Sequence, residues 1–312
     1  MISASKSVVV GTLLGFCLSW ITGTLQKVQY GLNEKSCGLS VPEARIINGE
    51  VTSKLHVPWV VIVLRILDNF HVRSCGGSII TRNIILTAAH CVLTEEKGRS
   101  VRQLVVYYNS SDFYSGPCID VKEGLIHNKY INVFQGYDIA LLKLSSALPR
   151  FDRFVRSVCL PKRGAPTKAG PMLLPGYGTT SIENTLTDRL RFYTAQVFSD
   201  VDCDKGLHQE GQHTLNSDLV ICSHSHFGMT WNGDSGSPVT AIMRNGKSTQ
   251  YGIHSIGAEN MDLPVPAMHT RVATFVRWIR KSLKHVDEWP MVVTEGPGND
   301  EPLCNQLETA AV

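Results

Sequence analysis

The chain has 312 residues, 43% of them hydrophobic and 18% charged, with a formal net charge of +3. This balance is ordinary for a globular protein with a sizeable core, and it excludes a disordered, collagen-like or coiled-coil chain. The charge is uneven: no Lys or Arg follows Lys284, whereas Asp287, Glu288, Glu295, Asp300, Glu301 and Glu308 do, so a basic body precedes an acidic tail. A basic face attracts sulfated polysaccharide or anionic surfaces, although a merely solvated surface explains the same composition.

Met1 to about Thr24 reads as a secretory signal, with Lys6 as basic n-region, Val8 to Ile21 as apolar h-region, and Thr22, Gly23 and Thr24 as small residues for cleavage. A membrane anchor is the competing reading. A span needs roughly 18–20 apolar residues, and this run is shorter and broken by Gly11, Thr12, Gly15 and Ser19. No other segment is apolar and long enough to cross a bilayer. Residues 25–45 form a short polar leader with one cysteine. From Ile46 onward, Val/Ile/Leu-rich runs recur between Gly, Pro, Asn and Ser clusters: Trp59–Ile66, Gly77–Leu86, Gln103–Tyr108, Ile139–Leu144, Leu190–Val197 and Gln250–Ile256. Many short strands separated by turns predict an all-β sandwich or barrel. One segment alone has a helical pattern: Ala273, Phe275, Val276, Ile279 and Leu283 repeat at helical spacing, with Arg277, Arg280, Lys281 and Lys284 opposite. Residues 286–312 read as a loosely structured acidic tail.

Of nine cysteines, Cys17 would leave with the signal, and an even set of eight remains. In an exported chain that argues for disulfides in an oxidising compartment, and no pair has CxxC spacing. Asn109-Ser110-Ser111 is an N-glycosylation sequon suited to a surface loop.

Three segments carry chemistry: Thr87-Ala88-Ala89-His90-Cys91, Asp138-Ile139-Ala140-Leu141-Leu142, and Gly233-Asp234-Ser235-Gly236-Ser237-Pro238. A serine hydroxyl is a poor nucleophile until a neighbouring base takes its proton. An imidazole titrates near neutrality, so it can accept that proton and return it to a leaving amine. Each segment alone has a bland reading: a structural His, a solvated Asp, a Gly-rich turn. Together, in the order His, Asp, Ser, they resemble the trypsin/chymotrypsin family over roughly Ile46 to Lys284.

The resemblance implies two antiparallel β-barrels, chymotrypsin-like, with a C-terminal helix and an active site in the cleft between the barrels. It implies Ser235 as nucleophile, His90 as general base, Asp138 as the acid that orients His90, and the N–H groups of Gly233 and Ser235 as oxyanion hole. Ser255 matches the family serine that supports the aspartate. Arg45-Ile46-Ile47-Asn48-Gly49 resembles the family's activation site, where cleavage after Arg45 frees an Ile46 ammonium to pair with Asp234. By the same resemblance Cys75 pairs with Cys91, Cys203 with Cys222, and Cys37 with Cys159, which leaves Cys118 with Cys304. The expected domains are a signal peptide (1–24), an activation propeptide (25–45), a peptidase domain (46–285) and an acidic tail (286–312).

The sequence also departs from the family. Trp231 and Asn260 replace one usual disulfide, and Met172 and Ala241 another. Counting back from Ser235 places Met229 at the base of the S1 pocket, where trypsin-like members have Asp. Thr230, Gly257 and Ala267 line that pocket, and Ile256 replaces a usual Trp. An uncharged base argues for apolar P1 residues. His254 and His269 offer an alternative, because they fall where glutamate-preferring relatives place pocket histidines, although Val239 stands at the third such position. His224-Ser225-His226 reads as a solvated loop, and no cofactor or required metal is expected. The expected protein is a secreted, monomeric, extracellular serine endopeptidase made as a zymogen. Its expected partners are protein substrates, an activating trypsin-like protease and protein inhibitors, with no nucleic acid and no membrane. The competing class is a catalytically weak or inactive homologue acting as a binding or cofactor protein.

Overall fold

The computed structural model describes residues 31–40, 54–67, 72–93, 95–96, 99–112, 116–167, 169–177, 189–209, 215–224, 234–257, 266–290 and 304. The first barrel uses β1 (Val60–Leu67), β2 (Val72–Ile79), β3 (Ile84–Thr87), β4 (Glu95–Glu96), β5 (Arg99–Tyr107), β6 (Cys118–Ile126) and β7 (Ala140–Leu144). Its strands run β1-β2-β3-β7-β6-β5, and pairing of β5 back onto β1 closes the ring, with β4 attached at the edge of β5. The second barrel uses β8 (Gly170–Gly176), β9 (Arg191–Val197), β10 (Val220–His224), β11 (Pro238–Ile242), β12 (Ser248–Ile256) and β13 (Ala267–Arg271). It closes in the order β10-β13-β12-β11-β8-β9. Two six-strand antiparallel barrels are therefore the architecture, with a C-terminal helix. Closure leaves neither ring an unpaired edge.

Burial explains why the apolar runs become strands. All eight residues of β1 are buried, so the strand reads as an apolar run broken only by Arg65, not as an alternation. The run Gly77–Leu86 is two strands instead of one. Thr81 Oγ1 accepts hydrogen bonds from the N–H groups of Asn83 (3.2 Å) and Ile84 (3.1 Å), which turns the chain between β2 and β3.

Two helices are present among the described residues, one more than the hydrophobic pattern predicts. Helix α1 (Asp200–Gln209) is polar and lacks a wide apolar stripe. Its start is held locally: Ser199 Oγ accepts from the N–H of Asp202 at 3.1 Å and donates to Asp202 Oδ2 at 2.6 Å. Asp200 and Asp202 also suit the positive end of the helix. Helix α2 (Val272–Ser282) does follow its pattern, burying Val272, Ala273, Phe275, Val276 and Ile279.

The barrels meet through buried side-chain bonds and close backbone approach. Ser78 Oγ of β2 donates to buried Gln250 Oε1 of β12 at 2.6 Å. Gly76 of β2 sits so close to the loop after Asp234 that a Cβ there would lie 2.0 Å from Ser237 Oγ and 2.9 Å from its Cα. Four disulfides join Cys37 to Cys159, Cys75 to Cys91, Cys118 to Cys304 and Cys203 to Cys222.

Both terminal extensions pack onto this body where they are described. In the leader, Asn33 Oδ1 accepts from Leu160 N at 2.7 Å and its Nδ2 donates to Leu160 O at 2.9 Å. Gly38, at φ +68°, exchanges backbone bonds with Ser157 and Ser248. At the other end, a 3-10 turn (Leu283–Glu288) leads to buried Trp289, whose Nε1 donates to Ser282 O at 3.2 Å. Pro290 O then accepts from Gly124 N of β6 at 3.1 Å. The described part of the tail is thus anchored to the first barrel, not loose. Its anchor on β6 lies far away in sequence, where local polarity carries no trace of it. Met172 and Ala241 share a small apolar cluster in the second barrel, so packing stands where a disulfide was missing. Among the described residues no helix is long and apolar enough to cross a membrane.

Candidate active site

The barrel junction brings three chemical segments together. His90 lies in a single 3-10 turn (Ala89–Cys91) after β3. Buried Asp138 precedes β7, and half-buried Ser235 precedes β11. The carboxylate of Asp138 grips His90 twice: Oδ2 lies 2.8 Å from Nδ1 of the ring, and Oδ1 accepts from the His90 backbone N–H at 2.9 Å. Ser255 Oγ donates to the same Oδ2 at 2.5 Å. Burial by itself would raise the Asp138 pKa. The facing His90 and the hydrogen bonds from His90 and Ser255 outweigh it and hold the carboxyl below its usual range. An ionised acid on Nδ1 fixes the ring tautomer that leaves Nε2 bare to accept a proton.

Residues that the motifs do not announce hold this arrangement. Thr270 Oγ1 donates to the Asp138 carbonyl at 2.8 Å, and Arg65 Nη1 donates to the His90 carbonyl at 3.0 Å. The Gly76 N–H donates to the Ser235 carbonyl at 2.7 Å, while Thr87 Oγ1 donates to the Gly76 carbonyl at 2.8 Å. Gly236, at φ +84°, has no room for a side chain, because its Cβ would lie 2.3 Å from Thr87 Oγ1 and 2.4 Å from Gly76 O. That crowding explains the glycine after Ser235. Ahead of Asp138, an aromatic cluster anchors the loop: His127 stacks on Tyr137 at 5.1 Å and packs against Phe275 and Trp278. The HNKY run around His127 was the available sequence trace of this anchor.

Asp234 is buried, with its carboxylate seated on Gly176, where a Cβ would meet Oδ1 at 1.9 Å. Arg45, Ile46, Gly233, Met229 and Thr230 lie outside the described residues, as do Trp231 and Asn260. Gly257 lies half-buried just after β12, and Ala267 is buried at the start of β13. Asn109 is exposed on the turn after β5, and His224 is exposed at the end of β10. Cys75, His90 and Cys91 have ligand atoms within 4.8 Å of one another, but both sulfurs are consumed by the Cys75–Cys91 bond and are not free to hold a metal.

His254 and His269 are cross-strand partners on β12 and β13, both buried. Their Nδ1 atoms lie 3.1 Å apart, and His269 Nε2 lies 2.8 Å from Ser223 Oγ. An Nδ1–Nδ1 hydrogen bond requires that one of the two atoms be bare. Burial pushes the His269 pKa down to about 3. Burial, then the charges of His269 and His90, push His254 well below its ordinary value.

The sequence profile of the trypsin family matches residues 46–279. This chain belongs to the trypsin family of serine proteases. It is 28% identical over 275 residues to the clotting factor G beta subunit of Tachypleus tridentatus, covering 84% of this chain and 87% of that one. It is 27% identical over 260 residues to chymotrypsin-C of Bos taurus, covering 80% and 94%. The fold is also that of a scabies mite inactivated protease paralogue, with a TM-score of 0.64, 24% identity, and coverage of 79% of this chain and all of that one.

Proposed function

We propose that this trypsin-family protein is a catalytically competent, secreted serine endopeptidase, made as a zymogen and activated by cleavage after Arg45. The observation that carries the reading is the doubly held His90–Asp138 pair, supported by Ser255, with the Ser235–Gly236 loop seated on Gly76 and Thr87 of the same barrel. Ser235 Oγ attacks a substrate carbonyl while His90 takes its proton. His90 then returns the proton to the departing amine, and the acyl-enzyme is released by water through the same base. The N–H groups of Gly233 and Ser235 take up the oxyanion, a role whose loss costs roughly 100–1,000-fold in rate.

The burial of Asp234 next to Ser235 supports the activation step, because an ammonium delivered there would meet a carboxylate in a low-dielectric site. The neutral His254–His269 pair supports apolar over acidic P1 residues, since rings bonded to each other and to Ser223 carry no charge for a glutamate. The signal-like segment 1–24 and the four disulfides support secretion to an oxidising compartment. Protein substrates, an activating protease and protein inhibitors are the partners this reading implies.

A likeness to an inactivated paralogue raises the alternative of a non-catalytic binding protein. That likeness concerns the fold, and this chain retains all three triad residue types with the acid–base pair assembled. Fluorophosphonate labelling before and after trypsin treatment tests the reading, with Ser235→Ala as control. Labelling only after cleavage at Arg45–Ile46, absent in the mutant, is expected. Correct cleavage without labelling would sink the catalytic reading and favour the binding protein.

A further inference from the structure

We propose that the exposed face of α2, with the turn beside its first residues, is a binding surface for a sulfated polysaccharide. Arg277, Arg280 and Lys281 of α2, and Lys284 of the 3-10 turn that continues it, are all exposed and fall at positions i, i+3, i+4 and i+7, so they lie along one side. At a rise of 1.5 Å per residue they form a cationic stripe about 10 Å long. None of the four has an ion-pair partner among the described residues. The acids that follow are turned to other groups: Asp287 pairs with Lys143 at 3.2 Å and Glu288 with His285 at 3.0 Å. Helix α2 itself contains no acid.

The stripe is extended at both sides. Gly164 N donates to the Ala273 carbonyl at 3.0 Å, which pins the turn carrying exposed Lys162 and Arg163 against the start of α2. Lys129 sits at the flank, its Nζ 5.4 Å from the ring of Tyr137, which itself packs on Phe275 of α2. Seven cations therefore converge around one helix of a chain whose formal net charge is only +3. A chain of closely spaced anions gains from such a surface by releasing its own condensed counterions.

The chemistry favours a polysaccharide over a lipid surface. Membrane-binding helices place several large apolar side chains beside their cations, whereas α2 offers only half-buried Trp278, whose ring packs on His127 at 5.0 Å. Sulfated polysaccharide is also the polyanion of the extracellular space, so this choice of occupant rests on the proposed export. None of these cations belongs to the triad, and binding is measured without catalysis.

The test uses the full chain carrying Ser235→Ala, with heparin as probe at about 0.15 M salt and in a salt series. Changing Arg277, Arg280, Lys281 and Lys284 together to Gln is expected to weaken binding at least about tenfold and to make the dependence of affinity on salt shallower. A matched control changes Lys122, Arg150, Arg153 and Arg244 to Gln, removing the same charge elsewhere, and is expected to change binding less than about threefold. Lys162→Gln with Arg163→Gln is expected to give an intermediate loss. Equal losses in helix and control variants, or no heparin binding by the parent, would overturn the proposal. So would binding to phosphatidylserine vesicles in the absence of heparin binding. Circular dichroism of each variant, unchanged for exposed sites, separates lost contacts from lost fold.

Discussion

Acidification is expected to destabilise this protein well above the pH at which its carboxylates titrate, because of the His254–His269 pair. Both rings are buried, and their pKa values lie below the ordinary 6.5, that of His269 at about 3. A base whose folded pKa is depressed leaves the unfolded chain holding more protons at intermediate pH, so stability rises with pH across that window. The contribution is fully present above pH 6.5 and is lost as pH falls from there towards the folded values. At about pH 4.5 each ring that stays neutral costs about 3 kcal/mol, so the pair costs roughly 3 kcal/mol if one ring stays neutral and roughly 5 to 6 kcal/mol if both do. A domain's whole stability is about 5–15 kcal/mol. Urea unfolding of the Ser235→Ala protein, followed by tryptophan fluorescence from pH 7.5 to 4.5, is expected to show this decline. His254→Gln with His269→Gln should flatten it. A stability that stays level over this range, or NMR titration of both folded-state imidazoles near 6.5, would refute the reasoning.

The remaining predictions concern the acid–base pair and the tail. Ser255→Ala removes a hydrogen bond to an ionised group, an interaction worth about 1.5–3 kcal/mol. It is expected to lower kcat/KM of the activated enzyme on a peptide substrate by about ten- to a hundredfold, with the alkaline-side activity less affected than the acid side, since Asp138 then protonates more easily. An unchanged pH–rate profile would remove Ser255 from the positioning of Asp138. Replacing Cys118 and Cys304 together by Ala opens a bridge that spans 186 residues. It is expected to cost roughly 2–5 kcal/mol of stability, read as a lower urea midpoint, with triad labelling intact because the bridge lies outside the triad. An unchanged midpoint would show that Trp289 and Pro290 hold the tail without it.

The sequence by itself determined the family and the class of fold, and it pointed to the chemistry proposed for the site. His90, Asp138 and Ser235 sit in short motifs whose residue types are dictated by proton transfer. The apolar runs between turn residues had to become strands, because such runs gain by burial and such turns end them. The stripe Phe275, Val276, Ile279 likewise announced α2. What lies between those motifs was decided by tertiary structure. The polar α1 was invisible to hydrophobic periodicity, since it is set by the Ser199 cap and the bridge from Cys203 to Cys222. The anchors of the triad, Thr270 on Asp138, Arg65 on His90 and Gly76 on Ser235, are single hydrogen bonds between residues remote in the chain. No local pattern encodes them, because they exist only once two closed barrels meet. Tertiary structure likewise decided the state of His254 and His269: the sequence supplies two titratable rings, and burial between adjacent strands of the second barrel lowers their pKa values.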